Sequence, residues 1–375
     1  MLHREGGALS FLASLKSLRL AVSFSGGKDS LVALDLSIRV GIRKVVFCDT
    51  TIEFDETVRY IKTVEDFYGI EIERVSAPVD FFSMITHVGI PSRRLRWCCD
   101  VLKFGPVARY AIDNRIFGFV TGLRQDESTR RKNYRAIDEN PMVPAKQINP
   151  ILEWTGDDVW RYIKRYRLPV NPLYKHFDRI GCWCCPYRTE ADWGKIEELF
   201  PEKIEHLKKK ITEFAKKVKI KDVEEFVEGR GWTRWAGHVR KRSVGTLSLC
   251  PSGEHTVVAV GGDPRQMQRI LKILPILTKD FSITGNRLRI VIDQDDKQRL
   301  NILLEKALNC CACGACLSLC RVGALNVDND SVYVDESRCS GCGRCLISSS
   351  DSLRGACIIR NYSSTRLSLV ETRLG

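Results

Sequence analysis

The chain has 375 residues, 44% of them hydrophobic and 28% charged, and its formal net charge at neutral pH is +13. This length allows about two or three domains. The charge favours anionic partners such as nucleotides, nucleic acid or lipid headgroups, but it does not choose among them. No uninterrupted apolar run reaches the roughly 18 residues of a membrane span, so we expect no membrane association.

The 16 cysteines are grouped in clusters instead of being spread along the chain. Secreted proteins held together by disulfides are small and carry cysteines throughout. Clusters within a long chain of ordinary composition indicate metal sites. We therefore expect a reducing, cytoplasmic compartment.

The first predicted strand covers residues 18–24 and ends in a glycine-rich loop, Ser25–Ser30, after which a helical pattern begins. Two adjacent glycines, Gly26 and Gly27, let the main chain approach a ligand closely. The helix N-terminus adds a partial positive charge, and Lys28 adds a full one. The pattern is not a Walker A loop, which has about four residues between its glycines and a hydroxyl residue after its lysine. We predict an anion-binding loop; an ordinary turn is the plainer alternative.

The loop resembles the PP-loop of the ATP-pyrophosphatase and sulfonucleotide-reductase superfamily. This resemblance implies an α/β fold with a doubly wound parallel sheet that binds an adenine nucleotide. In the ATP-cleaving members the loop binds the pyrophosphate end of ATP. Lys28 and Asp29 become catalytic candidates by the same match. The nucleotide-binding candidates in this part of the chain are Ser23, Ser25, Gly26, Gly27, Lys28, Asp29 and Ser30.

Further strands are predicted at 43–48, 70–75 and 117–121, with a helix between the first two of these at 57–68. Alternating strands and helices favour a parallel sheet, which binds ligands at the carboxyl ends of its strands. The segment 49–57 is similar to the family signature Asp-Thr-Gly followed by Phe-Pro-Glu-Thr. It departs from that signature at Thr51 and Asp55. Asp49 and Thr50 join the nucleotide-binding candidates.

Residues 121–131 are similar to another family motif, in which Gly122, Arg124, Ser128 and Arg131 become nucleotide-binding candidates. Planar guanidinium groups suit sulfate and phosphate oxygens. Two later segments, 149–160 and 168–174, also match the family, so the resemblance covers about residues 18–190. Within them we predict that Thr155 caps a helix beginning at Gly156, and we interpret Trp154, Trp160 and Tyr174 as packing residues.

Two cysteine groups lie within this stretch, the pair Cys98 and Cys99 and the later group Cys182, Cys184 and Cys185. Four thiolates suit either tetrahedral zinc or a [4Fe–4S] cluster, and spacing alone does not separate the two. The pattern resembles iron–sulfur APS and PAPS reductases. That resemblance implies a [4Fe–4S] cluster on Cys98, Cys99, Cys182 and Cys185. Cys184 is then an extra cysteine, either a redox-active catalytic thiol or a packed residue.

The last cysteine block resembles a bacterial ferredoxin with two cysteine runs. Because each run in such ferredoxins lends its fourth cysteine to the other cluster, the resemblance implies two further [4Fe–4S] clusters. A zinc site is the alternative. The departures are a long loop before Cys357 and an unassigned Cys311. One cluster would be held by Cys310, Cys313, Cys316 and Cys357, and the other by Cys339, Cys342, Cys345 and Cys320.

Five segments follow from these patterns. They are a PP-loop nucleotide-binding domain at 1–190, a basic helical extension at 191–245, a small α+β module at 246–308, a ferredoxin-type domain at 309–360 and a tail at 361–375.

The leading functional hypothesis is an iron–sulfur sulfonucleotide reductase-like enzyme that reduces APS or PAPS to sulfite. Electrons would come from a donor such as ferredoxin through the fused ferredoxin domain, and we expect a homo-oligomer. The sequence departs from the reductases because it lacks their C-terminal Glu-Cys-Gly motif with the catalytic cysteine. Cys184 and Cys250 are the substitutes left by elimination.

Two alternatives stay open. The retained Lys28 and Asp29 favour an ATP-pyrophosphatase that binds ATP with Mg²⁺ and activates a substrate for sulfur transfer, such as tRNA or DNA. The other alternative is an electron-transfer subunit that senses a nucleotide.

Overall fold

Helices and strands alternate through the first half of the chain, as the hydrophobic pattern predicts. The computed structural model describes residues 2–93, 96–235, 248–252, 255–259, 264–285, 287–292 and 296–346. The chain divides into two units, one made of Met1–Ala77 and Leu102–Leu207 and the other of Pro78–Val101 and Lys208–Gly375. The segment Pro78–Val101, which carries the first cysteine pair, therefore groups with the C-terminal half.

The helices are α1 (Leu2–Leu15), α2 (Lys28–Arg39), α3 (Asp55–Tyr68), α4 (Phe81–Val88), α5 (Trp97–Cys99), α6 (Gly105–Asp113), α7 (Gly156–Tyr166), α8 (Glu190–Leu199), α9 (Pro201–Lys217), α10 (Val223–Glu228), α11 (Pro264–Leu271) and α12 (Lys297–Leu308). The strands are β1 (Leu20–Phe24), β2 (Val45–Asp49), β3 (Ile72–Ser76), β4 (Gly118–Val120), β5 (Ile137–Glu139), β6 (Lys146–Ile148), β7 (Ser248–Ser252), β8 (His255–Ala259), β9 (Phe281–Thr284), β10 (Arg287–Val291), β11 (Leu325–Val327) and β12 (Val332–Val334).

The first unit is built on a six-stranded sheet with the order β3-β2-β1-β4-β6-β5. Every neighbouring pair is parallel except β5 with β6. The predicted parallel sheet is thus confirmed as mostly parallel, with an antiparallel edge strand. A short connection joins β5 to β6, and a parallel pairing would need a crossover of a dozen or more residues.

The side chains of β1 alternate between two cores. Val22 and Phe24 pack with α2 on one face of the sheet, where Leu31 and Leu34 are fully buried. Ala21 faces a second core, which includes residues of α6. Both faces of the sheet are covered, as parallel sheets require. Because β1 buries apolar side chains on both faces of the sheet, the strand is held firmly in place. The polar loop that follows it is therefore fixed at the carboxyl end of β1.

The start of α7 shows the predicted cap. The Thr155 hydroxyl accepts a hydrogen bond from the Asp158 amide at 3.2 Å, and the Asp158 carboxylate accepts one from the Thr155 amide at 3.0 Å. This reciprocal capping box supplies partners for amides that would otherwise lack one. The predicted helix start at Gly156 is confirmed.

The second unit contains an antiparallel sheet with the order β7-β8-β10-β9, and the separate hairpin β11–β12 follows it in the chain. Trp232 is buried, and Trp235 packs edge-on against Phe214 with ring centroids 5.1 Å apart. Trp235 thus packs within the helical extension. Among the helices of the described ranges, none combines the length and the apolarity that a bilayer crossing requires. Cys357 and the predicted tail lie outside the described residues.

Candidate nucleotide and iron–sulfur sites

The loop Ser25–Ser30 is held in a conformation that only glycine allows at one position. Gly26 has φ +75°, and a Cβ atom placed there would lie 2.7 Å from the Thr57 methyl group. The Asn171 amide donates hydrogen bonds to the Gly26 carbonyl oxygen at 3.2 Å and to the Thr57 hydroxyl at 3.1 Å. The loop is thereby fixed to the first turn of α3, which explains why its first glycine is needed.

The two serines of the loop differ in burial. Ser30 is buried, its hydroxyl donates to the Gly27 carbonyl oxygen at 2.8 Å, and the Ser25 amide donates to it at 3.2 Å. Ser25 is exposed. Ser30 closes the loop internally, whereas Ser25 lies on the side open to a ligand.

The end of β4 approaches the start of α2 very closely. A Cβ atom on Gly122 would lie 2.4 Å from the carbonyl carbon of Asp29 and 2.5 Å from the Ser30 amide nitrogen. Strand order reverses between β1 and β4, and open α/β sheets bind ligands at such a switch point. Gly122 therefore brings the arginine motif that follows it against the glycine-rich loop.

Asp29 has a cation on each carboxylate oxygen. Arg124 Nε lies 2.7 Å from Oδ1, and Lys28 Nζ lies 2.9 Å from Oδ2. The Arg124 side chain is buried and also donates to Asp126 at 3.1 Å and to the Trp154 carbonyl oxygen at 3.3 Å. A carboxylate in an anion-binding loop thus acts as an internal counter-ion that orients two cations.

Arg131 and Arg179 add two more positive charges near this group. Burial and the neighbouring Arg179 lower the pKa of Arg131, and the charge of Asp29 opposes that effect. Arg131 also forms an ion pair with Glu127. Like charges held close together are unfavourable, and an anion bound between them would relieve the repulsion. Arg179 was missed by the sequence reasoning, because it lies between the family motifs.

Tyr174 corrects the packing interpretation. Its hydroxyl accepts a hydrogen bond from the Lys28 amide at 2.8 Å, and Lys28 Nζ lies 5.8 Å from its ring centroid. Trp160 is 40% exposed and meets Tyr174 edge-on, with ring centroids 5.2 Å apart. Only Trp154, at 3% exposure, is an ordinary core residue. Tyr174 instead supports the first turn of α2.

The segment after β2 is tightly turned. The Thr51 amide donates to the Asp49 carboxylate at 2.8 Å, and the Thr50 hydroxyl donates to Glu53 at 2.7 Å. Thr51 has φ +63° at the position where the family signature has glycine. The backbone there lies in the left-handed region, which a β-branched residue rarely adopts. Of the other candidates, Ser23 is half-buried in β1 and Ser128 is exposed.

One half of the predicted metal site lies beside this turn. The Cys182 sulfur is 3.6 Å from the Thr50 hydroxyl. Arg188, which is buried, donates to the carbonyl oxygens of Cys182 and Gly181, each at 3.0 Å. Cys184 is 1% exposed, and burial raises the pKa of its thiol. That position favours the packed residue over the catalytic thiol, which requires an accessible thiolate.

The other half belongs to the second unit. Cys98 and Cys99 lie in the single turn of α5. The Cys99 sulfur accepts a hydrogen bond from Arg96 at 3.2 Å. A guanidinium donor favours a thiolate, so the local chemistry fits a metal ligand.

Residues 19–188 match the phosphoadenosine phosphosulfate reductase domain. An adenosine 5'-phosphosulfate reductase of Bacillus mycoides is 30% identical over 166 residues, which cover 43% of this chain and 70% of that protein. The chain belongs to the phosphoadenosine phosphosulfate reductase family. Its relatives with assigned activities in this comparison are enzymes.

This reductase-family chain is also similar to proteins without an assigned activity and to a solved structure. An uncharacterised protein of Methanocaldococcus jannaschii is 38% identical over 221 residues, covering 57% of this chain and 44% of that protein. The chain spans less than half the length of that protein and of a second one from the same organism. The chain is also similar to the crystal structure of a PAPS reductase from Candida auris, with 20% identity and a TM-score of 0.40. The match covers 47% of this chain and 88% of the Candida auris chain.

The C-terminal cysteines lie beyond the reductase-family domain and receive main-chain hydrogen bonds. The Cys310 sulfur accepts from the amides of Ala312 at 3.4 Å and Val332 at 3.3 Å. The Cys320 sulfur accepts from the Ala324 amide at 3.1 Å. Hydrogen bonds to sulfur are a means by which proteins tune iron–sulfur clusters. They fit thiolate ligands in these loops.

The two cysteine runs influence each other electrostatically. Burial raises the pKa of Cys310 to about 11, with Cys316 and Cys313 adding to the effect. Burial likewise raises the pKa of Cys345 to about 11, and Cys316, Cys320 and Cys339 add to it. Cys320 of the first run is therefore near the second run.

Across the described ranges, no three His, Cys, Asp or Glu side chains converge closely enough to bind a single metal ion. A [4Fe–4S] cluster binds its cysteines through separate iron atoms, so its ligands need not converge on one point.

Proposed function

We propose that this chain is an iron–sulfur sulfonucleotide reductase-like enzyme that reduces APS or PAPS to sulfite. Lys28, Arg124, Arg131 and Arg179 around the switch point carry this proposal, because guanidinium and ammonium groups suit the charge and the oxygen atoms of a sulfate or phosphate group. The APS reductase similarity supports it. The identity of the nucleotide, APS or PAPS, is inferred by analogy with the family's enzymes.

The reaction balances with two electrons. They reduce the sulfur from the sulfate to the sulfite oxidation state, and the bond between sulfur and the bridging phosphate oxygen breaks. Sulfite leaves together with AMP from APS, or with adenosine 3',5'-bisphosphate from PAPS. Arg124 and Arg131 would orient the sulfate and phosphate oxygens, and Lys28 would neutralise the leaving phosphate. Iron–sulfur clusters, held by the cysteines named above, would supply one-electron carriers.

An electrostatic influence within the second unit supports an internal electron route. Cys311 and burial raise the pKa of Cys313, and the Asp100 carboxylate contributes to the same rise. Asp100 follows Cys98 and Cys99 directly in the sequence. One ligand pair of the reductase-type cluster therefore lies near the first ferredoxin run. We propose that electrons from a donor such as reduced ferredoxin pass through this region.

One observation favours a second candidate, an ATP-pyrophosphatase that activates a substrate for sulfur transfer to tRNA or DNA. Lys28 lies within the glycine-rich loop, with its ammonium group 2.9 Å from Asp29. A lysine at this position suits pyrophosphate. Asp29 supports this candidate less well, because its ion pairs with Lys28 and Arg124 account for the carboxylate without Mg²⁺.

The test separates these functions by their products. Anaerobic protein is incubated with APS or PAPS and dithionite, and separately with ATP and Mg²⁺. We expect sulfite from the first mixture and no pyrophosphate from the second. Pyrophosphate without sulfite would establish the second candidate, and neither product would leave an electron-transfer subunit.

A variant pair tests the cationic site itself. Arg179→Gln removes an exposed charge of the group, and we expect KM for the sulfonucleotide to rise about tenfold, which is about 1.4 kcal/mol. Arg59→Gln is the matched control, because its side chain is 71% exposed on α3. Equal KM values for the two variants would remove Arg179 from the site.

A further inference from the structure

Lys306 is a buried lysine. It lies in α12, where Leu303, Leu304 and Ala307 are also buried, and it is 2% exposed. A buried ammonium group costs several kcal/mol of desolvation unless hydrogen bonds and opposite charges compensate it. A lysine at such a position therefore implies a specific partner.

The partners of Lys306 belong to both cysteine runs. Its ammonium nitrogen donates to the Cys345 carbonyl oxygen at 3.0 Å. Burial raises the pKa of Cys316, and the Lys306 ammonium, which donates a hydrogen bond to that sulfur, opposes the rise. Cys316 lies in the first run and Cys345 in the second. One cation from the preceding α+β module thus reaches the junction of both ligand sets.

We propose that Lys306 is a positioning residue that raises the reduction potential of the C-terminal clusters. This inference rests on the clusters of the proposed function. A [4Fe–4S] cluster becomes more negative when it accepts an electron. A fixed positive charge in a low-dielectric interior stabilises the reduced form more than the oxidised form. The hydrogen bond to Cys345 holds that charge in one place.

The arrangement also gives the α+β module a role. Arg299, on the same helix, lies against the second run, since a Cβ atom on Gly343 would be 3.3 Å from its guanidinium carbon. Arg299 is 43% exposed and pairs with Asp296, so water and a carboxylate screen its charge. The Lys306 side chain is 2% exposed, so water screens its charge less than that of Arg299, and we expect Lys306 to have the stronger influence on the clusters.

The test is an anaerobic redox titration of the full chain, followed by electron paramagnetic resonance. Lys306→Met removes the charge at similar volume, and Lys306→Arg keeps it. In the Met variant we expect at least a tenfold fall in the ratio of reduced to oxidised cluster at a fixed potential, or 59 mV for a one-electron couple. The Arg variant should stay near the parent protein. Lys279→Met is the control, because that side chain is 74% exposed.

Iron and sulfide analysis of each variant makes the outcomes distinct. A Met variant with full iron and an unchanged potential overturns the proposal. If the Met variant loses iron, the reduction potential is measured on Lys306→Gln instead. This variant keeps a hydrogen-bond donor to the Cys345 carbonyl oxygen but removes the charge. Loss of iron in both, with retention in the Arg variant, makes Lys306 an assembly residue and also overturns it. Parent protein without iron would instead remove the clusters themselves.

Discussion

The function assigned to the glycine-rich loop depends on the role of Asp29. A carboxylate in an anion-binding loop opposes an anionic ligand unless it holds a metal or a water. Its ion pairs with Lys28 and Arg124, at 2.9 and 2.7 Å, give it another role. An incoming anion would compete with this carboxylate for both cations. Asp29 therefore orients the cations and at the same time limits how tightly they bind an anion.

Asp29→Asn tests that role at the level of one charge. We expect PAPS to bind about fivefold more tightly, or about 1 kcal/mol, because one competing negative charge is removed. Isothermal titration calorimetry measures the dissociation constant. Asp66→Asn is the control, since Asp66 is 64% exposed on α3. Weaker binding of PAPS would contradict the counter-ion role, and weaker binding of ATP with Mg²⁺ would favour the metal role.

Single residues also show where sequence reasoning ends. Gly26, Gly27 and Lys28 were predicted because their signals are adjacent in the chain. The hydrogen bond between the Lys28 amide and Tyr174 joins residues 146 positions apart, and no local pattern encodes such a pair. Thr51 is the converse case. The sequence departs from the family glycine there, and the turn still has φ +63°, a conformation that favours glycine.

At the scale of elements, the junction of β4 and α2 defines the site. The two elements approach so closely at Gly122 that no side chain fits between them. The arginine motif follows β4, and the glycine-rich loop precedes α2. Their separation therefore sets the distance between Arg124 and Asp29.

Gly122→Ala should force this junction apart. The added methyl group would lie 2.4 Å from the Asp29 main chain, so we expect a loss of about 1–3 kcal/mol in the free energy of unfolding and weaker nucleotide binding. Gly194→Ala in α8 is the matched control, because nothing lies within 4 Å of its added carbon. The control should gain about 0.5–1 kcal/mol from helix propensity. Thermal denaturation and PAPS binding measure both variants, and equal effects would contradict the close approach.

The order of elements was more predictable than their pairing. The alternation of strands and helices predicts a parallel sheet because the apolar pattern repeats locally. The antiparallel edge strand β5 has only three residues, too few for a periodic signal. Arg179 was missed for a related reason, since its neighbours in space come from distant parts of the chain.

At the scale of the whole molecule, the cysteine assignments predict a metal content. Three [4Fe–4S] clusters require about twelve iron and twelve sulfide ions per chain. Cys185→Ser and Cys316→Ser should each remove about four of the iron ions, because each disrupts one ligand set. Cys184→Ser should keep the full content, since Cys184 is a buried cysteine outside the proposed ligand sets. Anaerobic iron and sulfide analysis measures this; zinc in the purified protein would contradict it.

The division of the chain also affects how the protein is made. The first unit is interrupted by Pro78–Val101, whose unit is completed only after residue 207 has been synthesised. Phe81 and Trp97 of this segment are fully buried side chains that stack with ring centroids 5.7 Å apart. On the ribosome, N-terminal parts of a chain emerge first. We therefore expect β4 and β6 to be synthesised before the rest of the unit in which Phe81 and Trp97 are buried. A fragment ending at residue 190 would lack the rest of that unit. We expect Phe81 and Trp97 to stay exposed to solvent in it and the fragment to aggregate.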